Sequence, residues 1–291
     1  MSPLELARNE DYLRRLAEDA LIEDHAFQDV TTAALVPAGQ SGRGVIVAKA
    51  EGVLAGLEVA RAVFAAADET LAWRADCLDG DRLSPGARVA TVEGPLASIL
   101  RGERAALNFL THLSGIATAT ATVVRALEGT GCRLRDTRKT LPGLRVLEKY
   151  AVLMGGGTSH RANLAEAVLV KDNHLAALRA RGLSVSDAVR LTRESNPGLR
   201  IEIEVTAVDE AREALAAGAD ELLLDNMSVE AMREVVALAT ETSPRPALEA
   251  SGGITLQNAR AVAETGVDYI SMGAITHSAR ALDMSLELEA G

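Results

Sequence analysis

Basic side chains are concentrated in one stretch of this chain, from Asp136 to Arg161, which reads DTRKTLPGLRVLEKYAVLMGGGTSHR. Arginine binds carboxylates and phosphates through a planar fork of donors, and lysine binds them through a compact point charge. Runs of charge are usually solvated surface, but an ordinary surface loop has no need of the three glycines 155–157 beside His and Arg. The pattern predicts a site for a small substrate with several negative charges, built from seven basic residues: Arg138, Lys139, Arg145, Lys149, His160, Arg161 and, ten residues on, Lys171.

The overall composition makes this basic stretch a local exception. The chain has 291 residues and a net charge of −11, so nothing global attracts nucleic acid or an anionic membrane. Its two cysteines, Cys77 and Cys132, are too few for a disulfide framework or a zinc site. The N-terminal residues lack an apolar signal core, and we expect no segment long enough to span a bilayer. These features predict a cytoplasmic protein.

The first 115 residues predict a mixed α/β domain. Apolar residues at helical spacing predict helices at 4–22, 59–67 and 95–113, the last of which could continue past Gly115. Residues 44–57 predict strand, turn and strand, and short strands with tight turns are expected over 79–92.

The second part of the chain has a different rhythm. Five short apolar runs, at 168–170, 201–205, 222–224, 247–250 and 269–272, are each followed by polar residues and an alanine-rich helical pattern. Alternating strands and helices indicate a parallel sheet. Five such units favour a β/α barrel, with a doubly wound open sheet as the alternative.

Polar residues follow these strands at the ends where a barrel builds its active site. The strand register therefore predicts that one barrel mouth is ringed by Lys171, Glu204, Asp225, Ser251 and Gly273. In a barrel, loops after the late strands commonly bind phosphate. SGGIT, from Ser251 to Thr255, is expected to open a helix whose first turn offers free N–H groups, and GAITHS has a similar character. This favours phosphate binding at these loops; the alternative is that Gly252 and Gly253 only form a tight turn.

Carboxylates and a lysine at such a mouth allow several roles. Glu204 and Asp225 could bind a metal ion or accept hydrogen bonds from sugar hydroxyls. Glu202 shares a strand face with Glu204, and a direct role is as consistent with its position as an ion pair inside the barrel. Lys171 could instead form a Schiff base with a carbonyl substrate, and His174 could cap a loop or orient Lys171.

The chain resembles the quinolinate phosphoribosyltransferases over almost its whole length. The segments that carry the resemblance occur in order: EDHAFQDVTT, ERAALNFLTHLSGIAT, the DTRKT to HR stretch, LVKDNH, IEIEV, LLLDNMS, LEASGGI and GVDYISMGAITHS. The resemblance implies an N-terminal α/β sandwich domain at 1–115, with which 276–291 is expected to pack, and an incomplete β/α (TIM-like) barrel at 116–275. It also implies a homodimer in which Arg104 reaches the partner subunit's site.

The resemblance further implies how the site residues divide between the two substrates, quinolinate and phosphoribosyl pyrophosphate (PRPP). It implies that quinolinate and the phosphates of PRPP are bound by Thr137, Arg138, Lys139, His160, Arg161 and Lys171. The ribose hydroxyls and Mg²⁺ are expected to be bound by Glu204 and Asp225. The 5′-phosphate is expected to be bound by Ser251, Gly252, Gly253 and Gly273. Lys139, Lys171, Glu204 and Asp225 are the implied catalytic residues, and no organic cofactor is expected.

The implied chemistry suits these residue types. Loss of pyrophosphate leaves positive charge on the ribose, as in glycoside cleavage, and nearby carboxylates stabilise such charge. The ring cation formed on the pyridine nitrogen then accepts the electrons released by decarboxylation. The alternatives are a related phosphoribosyltransferase-like protein of molybdenum metabolism, a Schiff-base lyase using Lys171, and a non-catalytic phosphate-binding module.

Overall fold

The computed structural model describes residues 3–289, which divide into two compact units. The first unit comprises the described part of Met1–Ala121, together with Thr140–Gly156 and the described part of Ile275–Gly291. The second comprises Thr122–Lys139 and Gly157–Ala274. The domain limits predicted from the sequence, 1–115 and 116–275, stay a prediction.

The helices and strands follow one another in chain order. The helices are α1 (Pro3–Leu6), α2 (Glu10–Glu23), a 3₁₀ turn (Ala26–Gln28), α3 (Val30–Leu35), α4 (Leu57–Ala67), α5 (Leu96–Ala126), α6 (Arg145–Met154), α7 (Asp172–Arg179), α8 (Val185–Ser195), α9 (Val208–Ala216), α10 (Val229–Thr240), α11 (Ala259–Ala263) and α12 (Ala274–His277). The strands are β1 (Ser41–Ala48), β2 (Gly52–Val53), β3 (Ala72–Ala75), β4 (Arg82–Leu83), β5 (Arg88–Pro95), β6 (Arg133–Arg135), β7 (Val168–Val170), β8 (Ile201–Val205), β9 (Glu221–Asp225), β10 (Ala247–Ser251), β11 (Tyr269–Ser271) and β12 (Met284–Glu289).

An antiparallel sheet with helices packed on it forms the first unit. Its strand order is β12-β1-β5-β3, so the C-terminal strand pairs with β1. The core beside it is built from aliphatic side chains and few aromatic ones, of which Phe64 on α4 stacks with Trp73 on β3 at a centroid distance of 5.6 Å. Burial of this apolar surface is the main stabilising contribution.

The predicted helix at 4–22 is two helices. α1 ends at Leu6, and α2 begins at Glu10 after Asn9, whose side chain accepts a hydrogen bond from the backbone N–H of Tyr12 at 2.9 Å. Asparagine is a strong N-cap residue because it satisfies a donor that the first helical turn leaves unpaired. The apolar spacing alone did not reveal this break.

Helix α5 continues past Gly115, as the sequence pattern allowed, and ends at Ala126. It has 31 residues and is, within the described part of the chain, long and apolar enough by length and composition to cross a membrane. The expectation that no segment has that length was wrong. Half of its most apolar window is buried inside the structure, and Leu110, Leu113 and Ile116 are fully buried, so α5 is a core helix of the fold.

Gly115 in the middle of α5 has a packing reason. A Cβ atom there would lie 2.3 Å from the carbonyl oxygen of Arg280, which no side chain can relieve by moving. The close backbone approach therefore excludes every larger residue at this position.

Six parallel strands in the order β6-β11-β10-β9-β8-β7 form the second unit's sheet. All five predicted strands are present within a residue or so of their expected positions, and the connecting helices make this an incomplete β/α barrel. The sixth strand, β6, was missed because its three residues, Arg133–Arg135, carry two arginines and give no apolar run.

The register of these strands carries a set of polar residues onto one sheet face. Glu202 pairs with Glu221, Leu223 with Glu249, and Asp225 with Ser251. Because side chains alternate along a strand, every second residue of β8, β9 and β10 lies on the same side. Charged residues are therefore stacked in layers along the sheet, up to the strand ends.

Candidate active site

A cavity of about 300 Å³ lies within the second unit, at the carboxyl ends of its strands. Its lining includes most of the predicted site residues. The lining residues are Asp136, Thr137, Arg138, Lys139, His160, Arg161, Leu169, Lys171, Glu204, Leu223, Asp225, Glu249, Ser251 and Ser271. The geometry thus brings together basic residues that lie up to 33 positions apart in the sequence, from Arg138 to Lys171.

A buried arginine, Arg161, and a half-buried one, Arg138, line the cavity together. The side chain of Arg161 is only 7% exposed, and its guanidinium donates to the carbonyl oxygen of Ala167 at 2.9 Å. Burial, and then the nearby positive charge of Arg138, lower the pKa of Arg161. Two cations held this close in a cavity favour an anionic ligand, because a ligand with negative charge relieves their mutual repulsion.

Lys139 and Lys171 are exposed residues on the lining. Lys139 follows β6, where its backbone N–H donates to the Thr137 hydroxyl at 3.0 Å. Lys171 follows β7, and its Nζ lies 3.7 Å from Glu204 Oε2. Since Lys171 is 48% exposed, this pair contributes little to stability.

His174 caps the helix that begins after Lys171. The backbone N–H of Lys171 donates to His174 Nδ1 at 2.9 Å. The sequence left two roles open for His174, and this hydrogen bond corresponds to the loop-capping role. The bond also fixes the backbone at Lys171.

Two carboxylates end neighbouring strands in the cavity wall. Glu204 lies on β8 and Asp225 on β9, and the two strands pair in parallel. Mg²⁺ prefers oxygen ligands and commonly binds one or two carboxylates together with substrate phosphates. The donor set present therefore fits a magnesium ion that arrives with a phosphorylated substrate.

The glycine loop after β10 has positive φ angles, which favour glycine. Gly252 and Gly253 have φ of 82° and 60°, and a Cβ at Gly252 would lie 2.5 Å from the Asn226 side chain. The expected helix does not start there, because α11 begins only at Ala259. Gly273 follows β11 after one intervening residue and directly precedes the four-residue helix α12, so neither loop offers a long helix to an anion.

Part of the basic stretch serves the first unit instead of the cavity. Arg145 and Lys149 lie on α6, and Lys149 is fully buried in that unit. Gly155 packs against α5, where a Cβ would lie 2.4 Å from the carbonyl oxygen of Ala117, and Gly156 has a φ of 86°. Gly155 therefore allows close packing at the end of α6, and Gly156 forms the left-handed turn that follows the helix.

Arg104 also lies in the first unit. It is exposed on α5 and lines a second cavity of about 380 Å³, together with Asn108 and His112. Its predicted role in a partner subunit's site stays a prediction.

A buried ionic layer, which the sequence did not predict, lies on the same sheet face. Arg135 is 4% exposed and pairs with Glu221 and, at 2.6 Å, with Glu249. Asp136 is fully buried and accepts hydrogen bonds from the Ser159 hydroxyl at 3.0 Å and the His160 backbone N–H at 2.9 Å. The charged residues inside β6, β9 and β10 could have indicated this layer, because a charged residue within a buried strand is rarely without a partner.

Glu202 belongs to this layer. Its Oε2 lies 2.9 Å from His160 Nε2, so its nearest polar partner inside the barrel is an imidazole. Burial, and then the charge of Glu221, raise the pKa of Glu202 to about 8. Burial, and then the charge of Glu202, raise the pKa of Glu249 to about 7. The Oε1 atoms of both acids have no hydrogen-bond partner among the described residues, so the layer retains protons at neutral pH.

This layer predicts that the protein loses stability as the pH rises. The unfolded chain releases these protons near the ordinary pKa of 4.5, whereas the folded protein keeps them up to about pH 7 to 8. The folded state therefore binds more protons between these limits, and the free energy of unfolding falls as the pH rises through them. Urea midpoints measured from pH 5 to pH 8 should fall for the unsubstituted protein and fall less for Glu202→Gln. Equal slopes would contradict this assignment.

Known families match the chain over both of its parts. The model of the quinolinate phosphoribosyl transferase C-terminal domain matches residues 116–287, and that of the N-terminal domain matches residues 29–114. The chain therefore belongs to the quinolinate phosphoribosyltransferase family.

Individual relatives and solved structures agree with this membership. A nicotinate-nucleotide pyrophosphorylase (carboxylating) of Mycobacterium leprae is 42% identical over 293 aligned residues, which cover 99% of this chain and all of that one. The human protein of the same name is 43% identical over 92% of this chain and 91% of its own. A crystal structure of NadC from Streptococcus pyogenes matches with a TM-score of 0.89 at 40% identity, covering 99% of this chain and 98% of that one.

Proposed function

We propose that this protein transfers the phosphoribosyl group of PRPP to quinolinate with loss of CO₂, and so forms nicotinate mononucleotide and pyrophosphate for de novo NAD synthesis. It is a pentosyltransferase. The observation that carries the proposal is the single cavity that joins Arg138, Lys139, Arg161 and Lys171 to a pair of carboxylates, in a member of this family. This residue set matches two substrates that are both polyanions.

Quinolinate binding falls to the basic residues. Its two carboxylates suit the planar donors of Arg138 and Arg161 and the point charges of Lys139 and Lys171. Held this way, the pyridine nitrogen can face the anomeric carbon of PRPP, and such orientation lowers the barrier by removing a large entropic cost. Thr137, which accepts the backbone N–H of Lys139, keeps that part of the wall in place.

We assign the sugar phosphate to the carboxylates and the glycine loops. Glu204 and Asp225 would accept hydrogen bonds from the ribose hydroxyls and hold Mg²⁺, which neutralises the departing pyrophosphate when bound. Ser251, Gly252, Gly253 and Gly273 would hold the 5′-phosphate through hydroxyl and backbone N–H groups. The carboxylates also stabilise the positive charge that develops on the ribose as the pyrophosphate leaves.

Decarboxylation then needs no covalent protein group. Once the pyridine nitrogen carries the ribose, the ring is cationic, and the bond from C2 to its carboxylate can break with its electrons drawn toward that nitrogen. The released position takes up a proton to give the product. This route favours the transferase over a Schiff-base lyase, for which a lysine attached to substrate would be required.

A homodimer in the cytoplasm completes the proposal. Arg104 is exposed on α5, and we propose that it contributes to the partner subunit's site. Its position leaves it available for that role, and Arg104→Ala should lower activity without a change in the fold of its own subunit.

The magnesium role of Asp225 has its own test. Asp225→Asn removes one negative ligand while keeping the size of the side chain, so the Mg²⁺ concentration needed for half-maximal rate should rise about tenfold or more, as an estimate from the 10–100-fold losses typical of weakened metal sites. A titration of the rate with Mg²⁺ at fixed PRPP measures this. The matched control is Asp220→Asn, since Asp220 pairs with Arg193 on the surface of the same unit at 3.4 Å. An unchanged Mg²⁺ requirement in Asp225→Asn would remove Asp225 from the metal site.

The decisive experiment for the function is direct. The protein is mixed with quinolinate, PRPP and Mg²⁺, and CO₂ and pyrophosphate are measured together. Equal amounts of both are expected. Binding of molybdate in place of quinolinate would instead support the protein of molybdenum metabolism, and borohydride trapping of a carbonyl substrate on Lys171 would support the Schiff-base lyase.

A further inference from the structure

His160 lines the substrate cavity, yet both of its ring nitrogens are engaged by the protein. Nδ1 accepts the backbone N–H of Arg161 at 2.7 Å, and Nε2 lies 2.9 Å from Glu202 Oε2. A nitrogen that accepts a hydrogen bond carries no proton, so the ring proton must be on Nε2. The hydrogen-bond network therefore fixes His160 as the neutral Nε2–H form, which donates to Glu202.

Neighbouring residues also fix the backbone of His160 and surround its imidazole. The His160 backbone N–H donates to Asp136 Oδ1 at 2.9 Å, and Glu249 Oε2 lies 3.7 Å from Nε2. Glu249 is in turn paired with Arg135 at 2.6 Å. The charged and titratable groups around the imidazole include Arg135, Asp136, Arg138, Arg161, Glu202 and Glu249.

We propose that His160 is a positioning residue, which acts as a neutral link between Glu202 and the backbone of Arg161 and does not bind the substrate as a cation. Through this link, β8 fixes the segment that presents Arg161 to the cavity. The positive charge that recognises quinolinate then comes from arginine and lysine alone. The inference rests on the proposed function for its substrate, but the state of the imidazole can be measured without it.

A metal ion is the other occupant that these side chains would suit. Ligand atoms of His160, Glu202 and Glu249 lie within 4.8 Å of one another. However, the guanidinium of Arg135 already contacts Glu249, and a divalent ion would have to share that space with a fixed positive charge. Arg135 therefore already supplies the positive charge of the layer, and we interpret the His160–Glu202 contact as a hydrogen bond.

A double-mutant cycle tests whether His160 acts through Glu202. His160→Ala and Glu202→Ala should each lower kcat/KM for quinolinate by about tenfold to a hundredfold, the loss expected when a binding group is misplaced by about an ångström. The double variant should lose no more than the worse single variant, because both changes break the same link. Losses that multiply would show that His160 contacts the substrate independently, and would overturn the proposal.

Conservative variants keep the test valid if the alanine variants unfold. Glu202→Gln retains an oxygen that accepts the Nε2–H, and His160→Gln retains a donor near that position. Both should keep kcat/KM for quinolinate within about threefold of the unsubstituted protein. The KM for PRPP should stay unchanged in all folded variants, since the link supports Arg161 and not the residues assigned to the sugar phosphate. A loss in His160→Gln as large as in His160→Ala would contradict the neutral role.

The tautomer is observable directly. Nitrogen NMR of the ¹⁵N-histidine-labelled full-length protein should show one imidazole, absent from His160→Gln, with a pyridine-type Nδ1 and a pyrrole-type Nε2 between pH 6 and pH 8. Conversion of that ring to the doubly protonated form on addition of quinolinate would overturn the proposal. So would a stoichiometric metal ion in the purified protein that is lost in Glu202→Gln. If the unsubstituted protein has no transferase activity, the proposed function fails, while the NMR result still decides the state of His160.

Discussion

Replacing Arg161 with alanine is expected to lower kcat/KM for quinolinate by about a thousandfold. Hydrogen bonds to charged groups contribute about 1.5–3 kcal/mol each, and a guanidinium can make two of them to one carboxylate. Loss of about 4 kcal/mol corresponds to about three orders of magnitude. The effect should be this large because Arg161 is almost fully buried in the cavity wall, where bulk water cannot replace the lost donors.

Steady-state rates with quinolinate as the varied substrate measure the effect. Arg161→Lys keeps the charge but loses the fork of donors, so it should recover only a part of the loss. The matched control is Arg212→Ala, because Arg212 is exposed in the same unit and pairs with Glu234 at 3.1 Å. An Arg161→Ala protein that folds normally and retains full kcat/KM would remove Arg161 from the site.

Replacing Lys139 with alanine should lower kcat by about a hundredfold to a thousandfold. A single preorganised charge or donor aimed at the reacting groups contributes about that much when it is removed. Lys139 is exposed on the cavity wall and its backbone is fixed by Thr137, so its truncation removes charge without disturbing the core. The free energy of unfolding, measured by urea titration, should therefore stay within about 0.5 kcal/mol of that of the unsubstituted protein, the range typical of surface substitutions.

Measuring both products shows whether Lys139 acts in the transfer step. Pyrophosphate and CO₂ should fall together in Lys139→Ala, since phosphoribosyl transfer must precede decarboxylation in the proposed mechanism. Lys49→Ala is the control, because Lys49 is exposed in the first unit and pairs with Glu287. Pyrophosphate release at the unsubstituted rate in Lys139→Ala would exclude Lys139 from the transfer step.

The sequence alone predicted much of the fold and of the site. Short runs rich in aliphatic residues at 168–170, 201–205 and later positions placed five of the six barrel strands, because such runs, alternating with helical patterns, are typical of a parallel sheet. Polar residues at or directly after the carboxyl ends of those runs placed Lys171, Glu204, Asp225 and Ser251 at one mouth. That inference needs only the direction shared by all strands of a parallel sheet, and the cavity lining contains all four residues.

Tertiary structure decided how the basic stretch is divided. Arg138, Lys139 and Arg161 line the cavity, while Arg145 and Lys149 lie on α6 in the first unit. Nothing in the local sequence separates these residues, since all are basic and lie within one 26-residue stretch. The division depends on where the chain leaves one sheet and returns, which is a property of long-range packing.

Residue types and their order along the chain determined the family, the parallel barrel strands and the anionic nature of the ligand, because these depend on local patterns of apolarity and charge. The buried layer of Arg135, Glu202, Glu221 and Glu249, and the neutral state of His160, were decided only by the fold. Their partners come from strands far apart in sequence, and a proton's position depends on distances of about 3 Å that only packing can set.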